Sequence, residues 1–192
     1  EPFAKDRSDL QHWSDTGLKT AVKMVKPTIL IGVTGQSGLF DNALLSSLFD
    51  HVDKPIILPL SNPSPQSECL PQDVYDWFSK PFFMATGSPF KVSRTGQQQE
   101  EISQCNNLYA FPGIAAGMVA CKAKILSQSM IIAVAEKISS YTLNHYDAQV
   151  ITPRLNDLSA VGREVALGLI QSACASGQAM RDEKTSLERY HQ

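Results

Sequence analysis

The stretch from Lys26 to Pro65, KPTILIGVTGQSGLFDNALLSSLFDHVDKPIILPLSNPSP, constrains the fold more than any other part of the chain. It holds two short apolar runs, Thr28-Ile29-Leu30-Ile31-Gly32-Val33 and Pro55-Ile56-Ile57-Leu58-Pro59-Leu60. Each is too short for a membrane-spanning helix and rich enough in β-branched residues to be a buried strand. Turn residues close both runs: Thr34-Gly35-Gln36-Ser37-Gly38 after the first and Ser61-Asn62-Pro63-Ser64-Pro65 after the second. Residues 43–49 between them carry a helical pattern, with Asp41 as its cap and Leu44, Leu45, Leu48 and Phe49 facing inward. Strand, loop, helix, strand and loop make one βαβ unit with parallel strands. In such sheets ligands sit beyond the carboxyl ends of the strands, so the two loops are the first place to look for function.

The remaining pattern predicts an α/β chain: a partial, Rossmann-like parallel sheet followed by a helical C-terminal segment. Asp15-Thr16 is the expected cap of a helix through Leu18, Ala21, Val22 and Val25, which stops at Lys26-Pro27. Pro71 opens a helix through Val74, Trp77 and Phe78. Phe82 to Thr86 is the third strand, 91–101 an exposed excursion and 102–105 a short edge strand. Pro112 is expected to break or kink a helix there, and the small residues of 113–123 suit close packing. A stripe of Met130, Ile131, Val134, Ala135 and Ile138 follows Ser127; 141–154 is a loop; a long helix runs from about Asp157 to Ala175, with Gly177 beyond its end. The strands look buried on both faces, yet there are only three or four. Parallel sheets normally have more. The chain also opens on Glu1 and a polar run to Arg7. The expectation is therefore a piece of a longer protein with part of the sheet encoded upstream.

Composition removes several classes of function. The net charge is −2 with no basic block, which speaks against nucleic acid or an anionic membrane as partner. The longest apolar stretch, Met130 to Ala135, falls far short of the ~20 residues a membrane helix needs. Cys69, Cys105, Cys121 and Cys174 lie far apart and match no zinc spacing, so they read as reduced thiols of a cytoplasmic protein. His12, His51, His145 and His191 are scattered, and there is no nucleophile–base pair, paired-carboxylate motif or P-loop.

What is left is a set of small and amide residues at the loops. Gly35 and Gly38 are either a tight turn needing positive φ or a backbone that lets a cofactor approach. Asn62 is either an Asx-turn or an amide aimed into the crevice. Asn106 and Asn107 precede an apolar run, so they either cap a helix or use its N-terminal N–H groups to hold a carboxylate or phosphate.

The runs KPTILIGVTGQSGLF, PIILPLSNPS, ATGSPF and QCNNLYAFPGIAAG occur in this order and spacing in the malic enzymes, over about residues 1–180. The chain resembles their bacterial NAD-type branch most. Malolactic enzymes share SNP and the asparagine pair but differ around GQSGLF and SPF. The resemblance implies part of an oxidative decarboxylase that converts L-malate to pyruvate and CO2 with NAD, or NADP, and with Mg or Mn. It implies cofactor contacts at Gly32, Val33, Gly35, Leu60, Ser61, Asn62 and Asn107, and substrate positioning by Asn62, Asn106 and Asn107. It implies no catalytic residue and no metal ligand within this segment, those being expected upstream. It further implies residues 1–106 as the end of the dinucleotide-binding domain, 107–178 as helices packed on the catalytic domain, 179–192 as a charged tail, and a homo-oligomer. The alternatives are a malolactic enzyme and a stand-alone, non-catalytic nucleotide-binding module.

Overall fold

A computed structural model describes residues 6–93 and 99–190. The start of the expected opening loop, the middle of the 91–101 excursion and His191 lie outside the described residues. The chain divides into two compact units, 1–102 and 103–192.

The first unit carries α1 (Leu18–Val25), β1 (Ile29–Gly32), α2 (Asn42–Phe49), β2 (Ile56–Pro59), α3 (Pro71–Trp77), β3 (Phe83–Thr86), β4 (Lys91–Val92) and β5 (Glu100–Glu101). β1 and β2 pair in parallel, Ile29 against Ile56 through Gly32 against Pro59, and β2 pairs in parallel with β3. Within this unit the sheet order is β1-β2-β3; Ser103–Gln104 form the short strand β6 at the start of the second unit. The described ends of the excursion, β4 and β5, pair antiparallel, with Lys91 opposite Glu101.

The crossovers are built as their residues dictate. Asp41 accepts the Leu44 N–H at 2.8 Å and starts α2, whose Leu44, Leu45, Leu48 and Phe49 are buried. They pack with Leu30, Ile57, Met84 and Val74 into one core. Phe49 stacks on Phe78 at 4.2 Å and meets the edge of Phe82 at 5.9 Å. Two expectations need correction. The cap of α1 is Gly17; Asp15 stands outside it, accepting from Gly17 N–H at 2.6 Å and from the Thr20 hydroxyl at 2.7 Å. The strands are not all buried on both faces. In β1 only Leu30 and Gly32 are covered, while Ile29 and Ile31 are 47% and 58% exposed. The helices' apolar side chains gather on the Leu30 side, so that side alone is covered.

The second unit is α4 (Phe111–Cys121), α5 (Gln128–His145), α6 (Leu158–Ala175) and α7 (Glu183–Tyr190). Pro112 does not kink a helix; it sits in the first turn of α4, where its missing N–H costs nothing. The break falls earlier, at Ala110, after a 3-10 turn over Asn107–Tyr109. The small residues of α4 let it lie close to α6. A Cβ on Gly113 would come within 2.5 Å of the Gly162 carbonyl oxygen, and one on Gly117 within 3.0 Å of that of Ala166. α5 runs on to His145, into the start of the expected 141–154 loop, and its buried positions are Met130, Val134 and Thr142. Ile131 and Ala135 are exposed, because the four-residue step from Met130 leaves them one position round the helix from the covered line. α6 buries Val161, Val165, Ala166, Leu169, Ile170 and Ala173, and Gly177 takes φ +69° just beyond its end. The charged tail contains α7, which buries Ser186 and sets Leu187 and Tyr190 against the second core.

Leu45→Ala removes a fully buried side chain from the first core, and urea unfolding is expected to show a loss of about 2–5 kcal/mol. Gly113→Ala adds one carbon where no room exists and is expected to cost about 1–3 kcal/mol by the same measurement.

Candidate functional site

The carboxyl ends of β1, β2 and β3 converge in the first unit, held by main-chain bonds. The Leu60 N–H donates to the Gly32 carbonyl at 2.8 Å, and the Gly87 N–H to that of Pro59 at 3.2 Å. Gly32 lies opposite Pro59 in this ladder, and the two bonds carry the pairing on to Leu60 and Gly87 across three adjacent strands.

One buried side chain ties the first two loops together. Glu68 is fully buried, between the loop after β2 and α3. Its Oε1 accepts from the Thr34 N–H at 2.7 Å, the Thr34 hydroxyl at 2.8 Å and the Ser61 hydroxyl at 2.5 Å, and its Oε2 accepts from the Ser61 N–H at 3.4 Å. Ser61 in turn accepts the Gly35 N–H on its hydroxyl oxygen at 2.9 Å. The Glu68 carbonyl takes the Phe40 N–H at 2.9 Å. Burial works to raise the Glu68 carboxyl; the Ser61 hydroxyl and the Thr34 amide and hydroxyl outweigh it and bring it down to about 2. Gly32 makes room for this group: a Cβ there would lie 2.6 Å from the Glu68 carboxyl carbon. Burial also pushes the neighbouring Cys69 thiol up to about 12, with Glu68 and Asp73 adding to it, so it is an inert thiol.

A second set of contacts orients Asn62. The buried Ser88 hydroxyl donates to Asn62 Oδ1, and the Thr86 hydroxyl donates to the Ser88 carbonyl at 2.8 Å. With its oxygen occupied, the Asn62 carboxamide offers its NH2 as the free function. Gly87 packs directly on this turn, for a Cβ there would lie 2.1 Å from the Leu60 carbonyl oxygen and 2.9 Å from Asn62 Nδ2. Val33 is 75% exposed and Asn62 is exposed, so the rim presents an apolar face and an amide donor. Gly35 and Gly38 take φ +67° and +73°, the left-handed turn that glycine allows.

Gly32, Val33, Gly35, Leu60, Ser61 and Asn62 thus come together in one place. Asn106 and Asn107 belong to the second unit. There Asn106 spends its side-chain oxygen on the Leu108 N–H at 3.0 Å, as a cap, and Asn107 is exposed. Sequence reasoning missed Glu68, Ser88 and the hydroxyl of Thr34. A signal existed for the first: Gly32 interrupts an apolar strand, and a glycine there marks a close approach by another group. Nothing in the spacing says that the group is Glu68.

The family model for the malic enzyme NAD-binding domain matches residues 1–174. The chain belongs to the malic enzyme family. It is 34% identical over 184 residues to an NAD-dependent malic enzyme of Pseudomonas aeruginosa, a match covering 93% of this chain and 33% of that protein. It is 36% identical over 182 residues to one of Sodalis glossinidius, covering 94% and 32%. Among solved structures, the malic enzyme of Pyrococcus horikoshii superposes with a TM-score of 0.67 at 25% identity, over 91% of this chain and 37% of that one. The malic-enzyme chain described here thus spans about a third of the length of the curated relatives it matches.

The residues at the strand ends fit a nicotinamide dinucleotide. The exposed Val33 offers an apolar surface for a ring, and the Ser88-held Asn62 offers a neutral N–H donor. No helix is long and apolar enough to cross a membrane among the described residues. Those residues also include no group of three or more His, Cys, Asp or Glu able to hold a metal ion.

Glu68 should leave a mark on acid stability. Its folded pKa lies below the unfolded value of 4.5, so it stabilises the fold above that value and the contribution disappears as pH falls toward about 2. Urea unfolding of wild type is expected to weaken over that window, and Glu68→Gln to be less stable at neutral pH with a flatter acid dependence. A wild-type curve matching Glu68→Gln in slope removes the assigned pKa.

Proposed function

We propose that this chain supplies the nicotinamide-side wall of the cofactor crevice in an NAD-dependent malic enzyme. Two things support the reading: the NAD-binding-domain match over residues 1–174 and the Ser88-anchored carboxamide of Asn62 at the parallel strand ends. The second carries the argument, because it is a neutral donor with a defined direction where α/β sheets place their ligands.

The reaction read for the whole protein is oxidation of L-malate at C2 followed by loss of CO2, giving pyruvate. NAD, when bound, accepts the hydride. The work of this chain's residues is orientation. Asn62, held by Ser88, donates an N–H to substrate or cofactor oxygen without titrating, so its action does not vary with pH. Val33, Gly35, Leu60 and Ser61 form the floor and edge against which the cofactor lies. The exposed carboxamide of Asn107 is assigned to cofactor and substrate, with Asn106 holding its turn in place. Mg2+ or Mn2+, the proton-transfer groups and the residue that separates NAD from NADP are assigned to other parts of the polypeptide, and the assembly to a homo-oligomer.

The full-length protein carrying this chain is expected to reduce NAD with L-malate and Mn2+, with pyruvate rather than lactate accumulating. Asn62→Ala and Asn107→Ala are each expected to lower kcat/KM by about 100-fold, the scale of a lost orienting contact. Unchanged turnover in either variant removes the role given to that residue; lactate in place of pyruvate removes the decarboxylating oxidation.

A further inference from the structure

A buried carboxylate is an expensive way to join two loops. Removing a charge from water carries a large desolvation penalty, which an apolar side chain of similar volume would avoid while plugging the same space. Glu68 is nonetheless fully buried, and all four groups that donate to it are neutral. What distinguishes a carboxylate from an apolar plug is direction. Its two oxygens set where the Thr34 and Ser61 N–H groups point, and through the Ser61 hydroxyl they set the Gly35 N–H as well. The arrangement is also built around it, since Gly32 has no side chain where Glu68 lies.

The same bonds decide what the crevice offers a ligand. The N–H groups of Thr34 and Gly35, which in an open glycine loop would face a phosphate, are turned inward and used. The rim keeps Val33 and the Asn62 carboxamide. An uncharged ring with an amide fits that rim; a phosphate beside a buried anion does not.

We propose that Glu68 is a positioning residue for the cofactor: it locks the β1 and β2 loops in one spacing and reserves that crevice for the uncharged nicotinamide end of the dinucleotide. The inference rests on the NAD reading above. Glu68 touches no reacting atom; it acts through Thr34, Ser61 and Gly35.

The test uses the full-length protein, with NADH binding followed by fluorescence and turnover by NAD and malate titrations. Glu68→Gln keeps the size but sets an NH2 donor among N–H and O–H donors. Losing hydrogen bonds to a charged group predicts an NADH Kd weaker by about tenfold or more. The KM for NAD should rise in parallel and the KM for malate should move by less than about twofold, since a loss confined to one ligand's contacts enters only that ligand's binding. Glu68→Asp, which keeps the charge, should recover part of the loss. An E68Q protein that melts lower yet binds NADH as wild type does, or in which both KM values rise together, shows a merely structural role and overturns the inference. Should E68Q fail to fold, Thr34→Val removes one hydroxyl bond to the same carboxylate and keeps the backbone N–H. Its NADH Kd is expected to weaken about threefold, the scale of one hydrogen bond, and an unchanged Kd overturns the inference. Wild type that binds NADH but does not turn over malate defeats the proposed reaction and leaves Glu68's role to the variants. Wild type that binds no NADH defeats both.

Discussion

The strand-end loops of the first unit depend on a buried negative charge. A parallel sheet aligns its strands through main-chain bonds, but those bonds stop where the loops begin. Beyond Gly32 and Leu60 the chain leaves the ladder, and side chains, together with the main-chain bond from the Phe40 N–H to the Glu68 carbonyl, relate one loop to the next. Glu68 does this with four acceptor contacts. Because its donors are neutral, the charge is held by directed hydrogen bonds alone, and these tolerate little displacement. The lowered carboxyl pKa is the chemical sign of the same fact.

Around this charge the glycines make sense as positions where a side chain would collide. Gly32 admits Glu68, and Gly87 admits the Leu60–Asn62 turn. Ser88 then gives the Asn62 carboxamide a direction. Three strand ends, one carboxylate and one serine hold the Asn62 amide at the rim. For a hydride transfer this is a useful property, since orientation of two reactants can supply several kcal/mol of the barrier reduction without any proton exchange.

The second unit solves a different problem with the same device. α4 is apolar almost all round, and it meets α6 through Gly113 and Gly117, whose missing side chains bring the two backbones together. Its opposite side leaves Phe111 and Val119 59% and 75% exposed. β1 likewise shows Ile29 and Ile31 on its uncovered side, and Val33 just beyond its end is exposed too. Exposed apolar faces of this kind mark surfaces that meet other protein or ligand. A chain that spans a third of its relatives' length presents them on both units.

Much of this was readable in the residues, for reasons that can be named. Period and punctuation are local, so the βαβ unit, the Asp41 cap, the inward leucines of α2, the long helix ending at Ala175 and Gly177 beyond it all followed from neighbours in sequence. The errors were where a local rule met its limit. Pro112 is compatible with a helix start as well as a break, and only the preceding turn at Asn107–Tyr109 chooses between them. The apolar run of β1 says that the strand is hydrophobic, not that both faces are covered; coverage depends on where helices from elsewhere in the chain come to lie. The amides and glycines of the crevice were visible as turn residues at strand ends. Glu68 was not, because 34 residues separate it from Thr34 and no spacing rule joins them. Sequence by itself determined the βαβ unit, the order of the main helices and strands and the family, since these rest on short-range chemistry. Which carboxylate lies under which glycine, and which way the asparagine amide turns, was decided only when the folded chain brought distant loops within hydrogen-bonding distance.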